Sequence, residues 1–273
     1  MLWWHRALAR NERQGMEHTK GIIRRLEKLT EHGHRLSEVF TDWVAAMALA
    51  YAGVGDVHAA VTGIRDTREA EYLRIARKYG AEMTLLAEAT GLLAMVFEDG
   101  PGDHLGRLYM DIGTPNDRLG QFFTPYELSR AMAAMSLSDM SELLATRDYI
   151  TLGEPACGSC GMVIAVAEEM RARGHNPQQQ LVVHATDLSM TAVHMAYVQL
   201  TLMHIPAMVV HGNTLTLEAF SAWRTLAWSA GNWDFRRPFR ERGRATILDT
   251  DPTPVVDVAV EQGQLQLFGG THG

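Results

Sequence analysis

The hydrophobic positions fall into two regimes along the chain. Residues 1–33 are charged and mixed, with a helix predicted around 17–30. From Leu36 the spacing becomes helical: Val39, Phe40, Trp43, Val44, Met47 and Ala48 recur three or four apart and share one face. A turn-like stretch from Gly53 to Gly63 follows. The segment REAEYLRIARKYG then predicts a helix stopped by Gly80. A further apolar helix is predicted over about 81–98, broken by GPGD at 100–103. Residues 35–98 therefore read as a small helical domain.

Beyond residue 120 the pattern alternates. Thr124 is placed to cap a helix, with Pro125 at its first position and Glu127 completing a capping box. Strands are predicted at 149–152, 181–185 and 207–210, separated by helices at 161–172 and 188–203. Strand, helix, strand, helix, strand implies a parallel sheet joined by right-handed crossovers. After His211 no clean period remains. The expected organisation is a helical region over 1–100, an α/β domain over 101–244 and a flexible tail over 245–273.

Composition narrows this only a little. The formal net charge is -7, so nucleic-acid contact has to come from local patches. The only cysteines are Cys157 and Cys160, which rules out a disulfide framework and suits a reducing compartment. The start, MLWWHRALAR, lacks the apolar core of a secretion signal. No apolar run approaches the roughly 20 residues that span a bilayer. The expected location is cytoplasmic, with no membrane contact.

Candidate chemistry centres on LGEPACGSCGM at 152–162. A strand ending in Glu154 and followed by Gly158, Ser159 and Gly161 lets backbone approach a ligand at a helix start. The next strand ends at Asp187, where an acid accepts ribose hydroxyls, and the third at Asn213, which could read an adenine edge. The two cysteines admit other readings, half a metal site or a redox pair. A zinc site needs about four ligands, however, and there is no second cysteine pair. No metal is expected.

In this order, GQFFTP (120–125), EPACGSCGM (154–162), ATDLS (185–189) and GNTL (212–215) carry a resemblance. The chain is similar to adenine-N6 DNA methyltransferases of the type I restriction-modification modification-subunit group, and to phage and plasmid N-6 DNA methylases. The resemblance implies a Rossmann-like sheet that binds S-adenosylmethionine for DNA modification. Carried over position by position, it nominates Phe123, Thr124, Pro125, Glu154, Ala156, Cys157, Gly158, Ser159, Asp187, Leu188 and Asn213 for the cofactor. Cys157 falls where the family itself carries a cysteine. Cys160 replaces the family's usual Gly or Ala, which is expected to crowd the methionine end of the cofactor.

One departure is large. The family places an Asn/Asp-Pro-Pro-Tyr/Phe motif on a fourth strand, where it holds the flipped-out adenine. This sequence contains no Pro-Pro. The sheet is accordingly expected to be truncated, and the catalytic residues are unknown. Two functions stay open. One is a DNA adenine-N6 methyltransferase whose base pocket is atypical or supplied by a second chain, as a homodimer or partner subunit. The other is a catalytically deficient relative, a cofactor-, DNA- or partner-binding regulatory or anti-restriction factor.

Two further segments invite readings. Residues 224–244 hold six arginines against Asp234 and Glu241, with aromatics interleaved. Arg224, Trp233, Arg236, Arg237 and Arg240 could contact DNA, since aromatics stack bases and arginine neutralises phosphate. Alternatively the aromatics close the open sheet. Near the end, QLQLF at 264–268 resembles the peptide by which bacterial proteins dock on the polymerase sliding clamp, with Gln264, Leu267 and Phe268 as its anchors. A short edge strand is the other reading.

Overall fold

The computed structural model describes residues 2–55, 64–113, 124–137, 140–236 and 264–266. Its helical part comprises α1 (Leu2–Thr30), α2 (Leu36–Gly55), α3 (Ile64–Tyr79), a 3₁₀ turn (Gly80–Glu82), α4 (Met83–Asp99) and α5 (His104–Asp111). Next come α6 (Tyr126–Ser136), α7 (Met140–Leu144), β1 (Ile150–Glu154), α8 (Gly161–Ala172), α9 (Pro177–Gln180) and β2 (Leu181–Asp187). The remainder is α10 (Met190–Leu202), β3 (Ala207–Asn213), β4 (Glu218–Arg224), α11 (Leu226–Ala230) and β5 (Gln264–Gln266).

The three predicted strands pair in parallel, β1 with β2 from Ile150↔Leu181 and β2 with β3 from Val183↔Ala207. Their carboxyl ends therefore lie along one edge. The sheet order is β4-β3-β2-β1-β5. β4 runs antiparallel to β3, as the return arm of a hairpin that the sequence pattern did not reveal. The ladder slips between His211 and Gly212, and a Cβ at Gly212 would collide with the Glu218 carbonyl. Only glycine allows that approach.

Burial explains the layering. Alternate residues Ile150, Leu152, Val183, Ala185 and Val209 are buried in one continuous core with α8 and α10. Every residue of α10 from Ala192 to Thr201 is buried. A helix apolar on all sides needs a second layer outside it, and α2 supplies that layer. Ile22, Phe40, Trp43 and Leu93 from the helical part belong to the same core as the sheet residues. Arg68 of α3 fastens the far edge, donating to the Ala222 carbonyl at 2.7 Å with its guanidinium 4.1 Å from the Trp223 ring centroid.

Several expectations need correction. The first helix reaches back to Leu2 rather than starting near 17. Thr124 does not cap α6: Pro125 occupies the N-cap, its carbonyl accepting from Leu128 and Ser129, and Glu127 pairs instead with Arg107 at 3.2 Å. The helical run 64–99 contains an 18-residue window of mean hydropathy 1.3, long and apolar enough by composition alone to cross a bilayer, although no such run was expected. Within it, Leu86, Ala89, Leu93 and Val96 are buried where α4 packs on α1.

The opposite sheet face carries a smaller core of Tyr149, Val182, Trp228 and Trp233. Thr225 starts this cover: its hydroxyl donates to the Ile205 carbonyl at 2.8 Å and accepts from Ala207 N and Trp228 N. The last three described residues, Gln264–Gln266, pair in parallel with β1 through Thr151↔Gln264 to Gly153↔Gln266. Part of the expected flexible tail is thus a sheet strand.

Candidate cofactor site

Glu154, Asp187 and Asn213 are the last residues of β1, β2 and β3, at the carboxyl edge of the sheet, each two positions beyond the ladder partner of the one before: Glu154 lies opposite Ala185 and Asp187 opposite His211. After Glu154 the chain makes the turn Pro155–Cys160 before α8 begins. Gly158 has φ +52° and Cys160 φ +70°. Two left-handed residues within three positions fold the loop back on itself, and Cys160 N donates to the Cys157 carbonyl at 2.7 Å. Cys157 N reaches across to the Thr186 carbonyl at 2.9 Å, which ties the loop to β2.

Asp187 holds the same loop through its side chain. One carboxylate oxygen accepts from Gly158 N at 2.8 Å, the other from Ser189 N at 2.8 Å. An ionised carboxylate offers about four acceptor sites, so half of its capacity is left for a ligand. Glu154 is different: it is 3 % exposed, one oxygen accepts from Ala156 N at 3.3 Å, and the other is buried without a partner. Burial pushes its carboxyl above the usual range, and the nearby Asp187 charge adds to the rise. A buried acceptor without a partner at the carboxyl edge leaves one oxygen able to accept from a donor.

Asn213 is partly committed. Its side-chain oxygen accepts from Leu215 N and Thr216 N, forming the β3–β4 turn, so its amide nitrogen is what can meet a ligand. Thr214 donates to the Pro155 carbonyl at 2.6 Å and joins the hairpin to the loop. Leu188 is 61 % exposed at the same edge, and Ala156 is exposed beside it. Thr124 and Pro125 are exposed at the start of α6, which packs on α8; Phe123 lies outside the described residues.

The cysteines resolve into packing. Cys157 and Cys160 are both buried, Cys160 completely. The hydrogen bond that Cys157 donates to Cys160, and then burial, push the Cys157 thiol up; burial raises Cys160 as well. Buried thiols held protonated are poor nucleophiles and poor ligands. No group of metal-ligating side chains occurs among the described residues. Cys160 is buried as part of the main core.

The arginine-aromatic segment also changes meaning. Trp233 is buried, with Tyr149 edge-on at 4.9 Å and the Arg236 guanidinium 4.2 Å from its ring centroid. No open face remains on which a base could stack, so Trp233 closes the sheet. Arg224 pairs with Asp234 at 3.3 Å, and Arg236 is exposed. Arg237 and Arg240 lie outside the described residues, as do Leu267 and Phe268. The backbone of Gln264 is engaged in β5, paired with β1.

Sequence reasoning missed a buried network beneath the loop. Asp103, at the N-cap of α5, accepts from Gly106 N, Ser159 Oγ and Gln199 Nε2 at 2.7–3.0 Å. The available signal was the pairing of GPGD with LG two residues on, which reads as an N-cap rather than as a mere helix breaker.

Residues 108–251, more than half of the chain, match the family profile described as N-6 DNA Methylase. The structure is similar to that of a Listeria monocytogenes protein assigned to the class I S-adenosylmethionine-dependent methyltransferases. That match has TM-score 0.41 and 12% identity, covering 73% of this chain and 54% of that one. It is also similar to a type I restriction-modification system methyltransferase subunit from Streptococcus thermophilus, with TM-score 0.35 and 13% identity, covering 71% and 58% respectively. The chain thus spans little more than half the length of either solved protein. No curated protein sequence matches it. With its ordered motifs and its profile match over most of the α/β part, this chain belongs to the N-6 DNA methylase family.

Proposed function

We propose that the carboxyl edge of the sheet binds S-adenosylmethionine and that the protein transfers its methyl group to adenine N6 in DNA. The observation that carries this reading is the placement of Glu154, Asp187 and Asn213 at the carboxyl ends of three successive parallel strands, around a loop hydrogen-bonded to Asp187. Ligands of open α/β sheets lie in that crevice. Asp187 would accept the ribose hydroxyls on its unused lone pairs. The unpartnered Glu154 oxygen would accept from the amino group of the methionine part, and the Asn213 amide nitrogen would face an acceptor on the adenine. Leu188 and Ala156 supply apolar contact, Gly158 and Ser159 backbone approach, and Thr124 and Pro125 the opposite wall with Phe123. Cys157 shapes the loop from beneath.

The cofactor brings an electrophilic methyl on a sulfonium, so the residues of this chain need only position donor and acceptor and exclude water. The strand beside β1, where the family places its adenine-holding motif, is Gln264–Gln266 in this chain. That placement favours a second reading, a cofactor- or DNA-binding relative without transfer activity that serves a partner subunit or a second copy. Exposed Arg236, with Arg237 and Arg240, remains the candidate phosphate contact in either case.

The test is methyl transfer from radiolabelled S-adenosylmethionine to unmethylated DNA, with nucleosides identified by mass spectrometry and Asp187→Ala as control. Label in N6-methyladenine that is lost in the control supports transfer. Cofactor binding without label on any DNA supports the second reading.

A further inference from the structure

The Asp103 network joins the start of α5 to the loop after β1 and to α10. Asp103 is 4 % exposed. One of its oxygens accepts from Gly106 N at 3.0 Å, which caps α5, and from Gln199 Nε2 at 2.9 Å. The other accepts from Ser159 Oγ at 2.7 Å. All three donors are neutral, and charge-assisted bonds of this kind are the strong ones. Gln199 is wholly buried on α10. It donates a second time to the Ser159 carbonyl at 2.7 Å, while its oxygen accepts from Leu105 N at 3.0 Å. Turning the amide over would set its oxygen against the Asp103 carboxylate and the Ser159 carbonyl, so a single orientation survives.

Two glycines exist to make room. A Cβ at Gly106 would collide with both Asp103 and Ser159, and one at Gly161 would lie 2.8 Å from Asp103 Oδ2. The carboxylate thus fits between the start of α5 and the start of α8 with no space for a longer side chain. Ser159 is held at both its hydroxyl and its carbonyl. It sits between Gly158, whose NH is bonded to Asp187, and Cys160, whose backbone is left-handed.

We infer that Asp103 is a positioning residue that templates the cofactor loop: its carboxylate, with Gln199, fixes Ser159 and so the path of residues 157–161. With its carboxylate engaged by Gly106, Gln199 and Ser159, it acts through Ser159. The consequence for binding rests on the proposed cofactor site; the consequence for the loop does not.

The experiment therefore reads both. Wild type, Asp103→Ala, Asp103→Asn and Ser159→Ala are compared by backbone amide hydrogen exchange over residues 155–162 and by titration with S-adenosylhomocysteine. Thr225→Ala serves as a control that loses a buried cap on the opposite edge of the sheet. In Asp103→Ala, loop exchange rises and ligand affinity falls by about tenfold or more, the scale of one lost hydrogen bond to a charged group. Asp103→Asn restores most of both, because the amide still accepts from Gly106 N while Ser159 Oγ rotates to accept from it. Thr225→Ala lowers the melting temperature and leaves loop exchange and affinity unchanged. Should Asp103→Ala not fold, Ser159→Ala replaces it, since it removes the same bond from the other side: a rise in exchange over residues 157–161 supports the template, and exchange within about twofold of wild type overturns it. Loop exchange within about twofold of wild type in Asp103→Ala overturns the inference. If the wild type binds no S-adenosylhomocysteine while loop exchange responds as expected, the cofactor reading fails and the template stands.

Discussion

Glu154→Gln is expected to make the protein more stable and bind its cofactor less well. The wild-type side chain is 3 % exposed, receives one long hydrogen bond from Ala156 N at 3.3 Å, and leaves its second oxygen buried without a partner. In the variant the amide oxygen keeps the Ala156 bond, and an NH2 group replaces the orphaned oxygen beside Asp187. A desolvated charge and a carboxylate-carboxylate repulsion are both removed. An unsatisfied buried polar group costs about 1–3 kcal/mol, more when charged. The new NH2 recovers only part of this, so the net gain at neutral pH should be about 1–2 kcal/mol, or roughly 2–4 °C in melting temperature per kcal/mol for a domain of this size.

The pH dependence identifies the cause. Burial raises the folded-state pKa of Glu154, with Asp187 adding to the rise. The wild-type carboxyl is therefore neutral in both states below the ordinary value of about 4.3. Its contribution to stability is intact there and is lost as pH rises through the raised folded value. The advantage of the variant should be near zero in mild acid, grow above about pH 4 and then level off. Differential scanning calorimetry of both proteins across that range measures it, and titration with S-adenosylhomocysteine shows the opposing loss of affinity. An advantage independent of pH, or a variant less stable than wild type at neutral pH, would refute the account of Glu154 as an acceptor waiting for a donor.

Three other outcomes follow from the packing. His184 and His194 are buried with pKa lowered to about 4, chiefly by burial and then by Arg224 and Arg68 respectively. Since the unfolded state takes up their protons first, stability is full above about pH 6.5 and is lost as pH falls towards 4, by up to about 3 kcal/mol per histidine. His194→Gln should flatten that acid slope in a urea-unfolding series, and an unchanged slope would count against it. Cys157 and Cys160 should resist a thiol reagent at pH 8 in the folded protein and react on unfolding, whereas rapid labelling of the native state would show that the loop opens. Trp233→Ala should cost about 3–5 kcal/mol, as for a large buried aromatic, measured by chemical denaturation. A loss below about 1 kcal/mol would mean that the sheet face has other cover.

How far the sequence carries depends on whether a feature is local or needs a partner in space. The parallel core was legible because Ile150, Leu152, Val183, Ala185 and Val209 alternate within short apolar runs, and because Glu154, Asp187 and Asn213 end those runs. The β3–β4 hairpin was not, since Glu218–Arg224 pairs antiparallel at a half-exposed edge, where little apolar alternation is demanded. Trp233 carried the composition of a base-stacking residue, and its burial depends on distant partners such as Tyr149, 84 positions earlier in the chain, and Val182. Asp103 is the sharpest case. In sequence it is the last residue of a helix-breaking tetrapeptide. Its meaning comes from Ser159 and Gln199, separated from it by 56 and 96 positions, and from two glycines whose missing side chains leave the carboxylate its space. A strand that ends in an acid marks a ligand edge from local pattern alone. The group that holds the loop after β1 in shape is recognised only when its distant partners are in place, which is why the strand ends were legible in the sequence and the support beneath that loop was not.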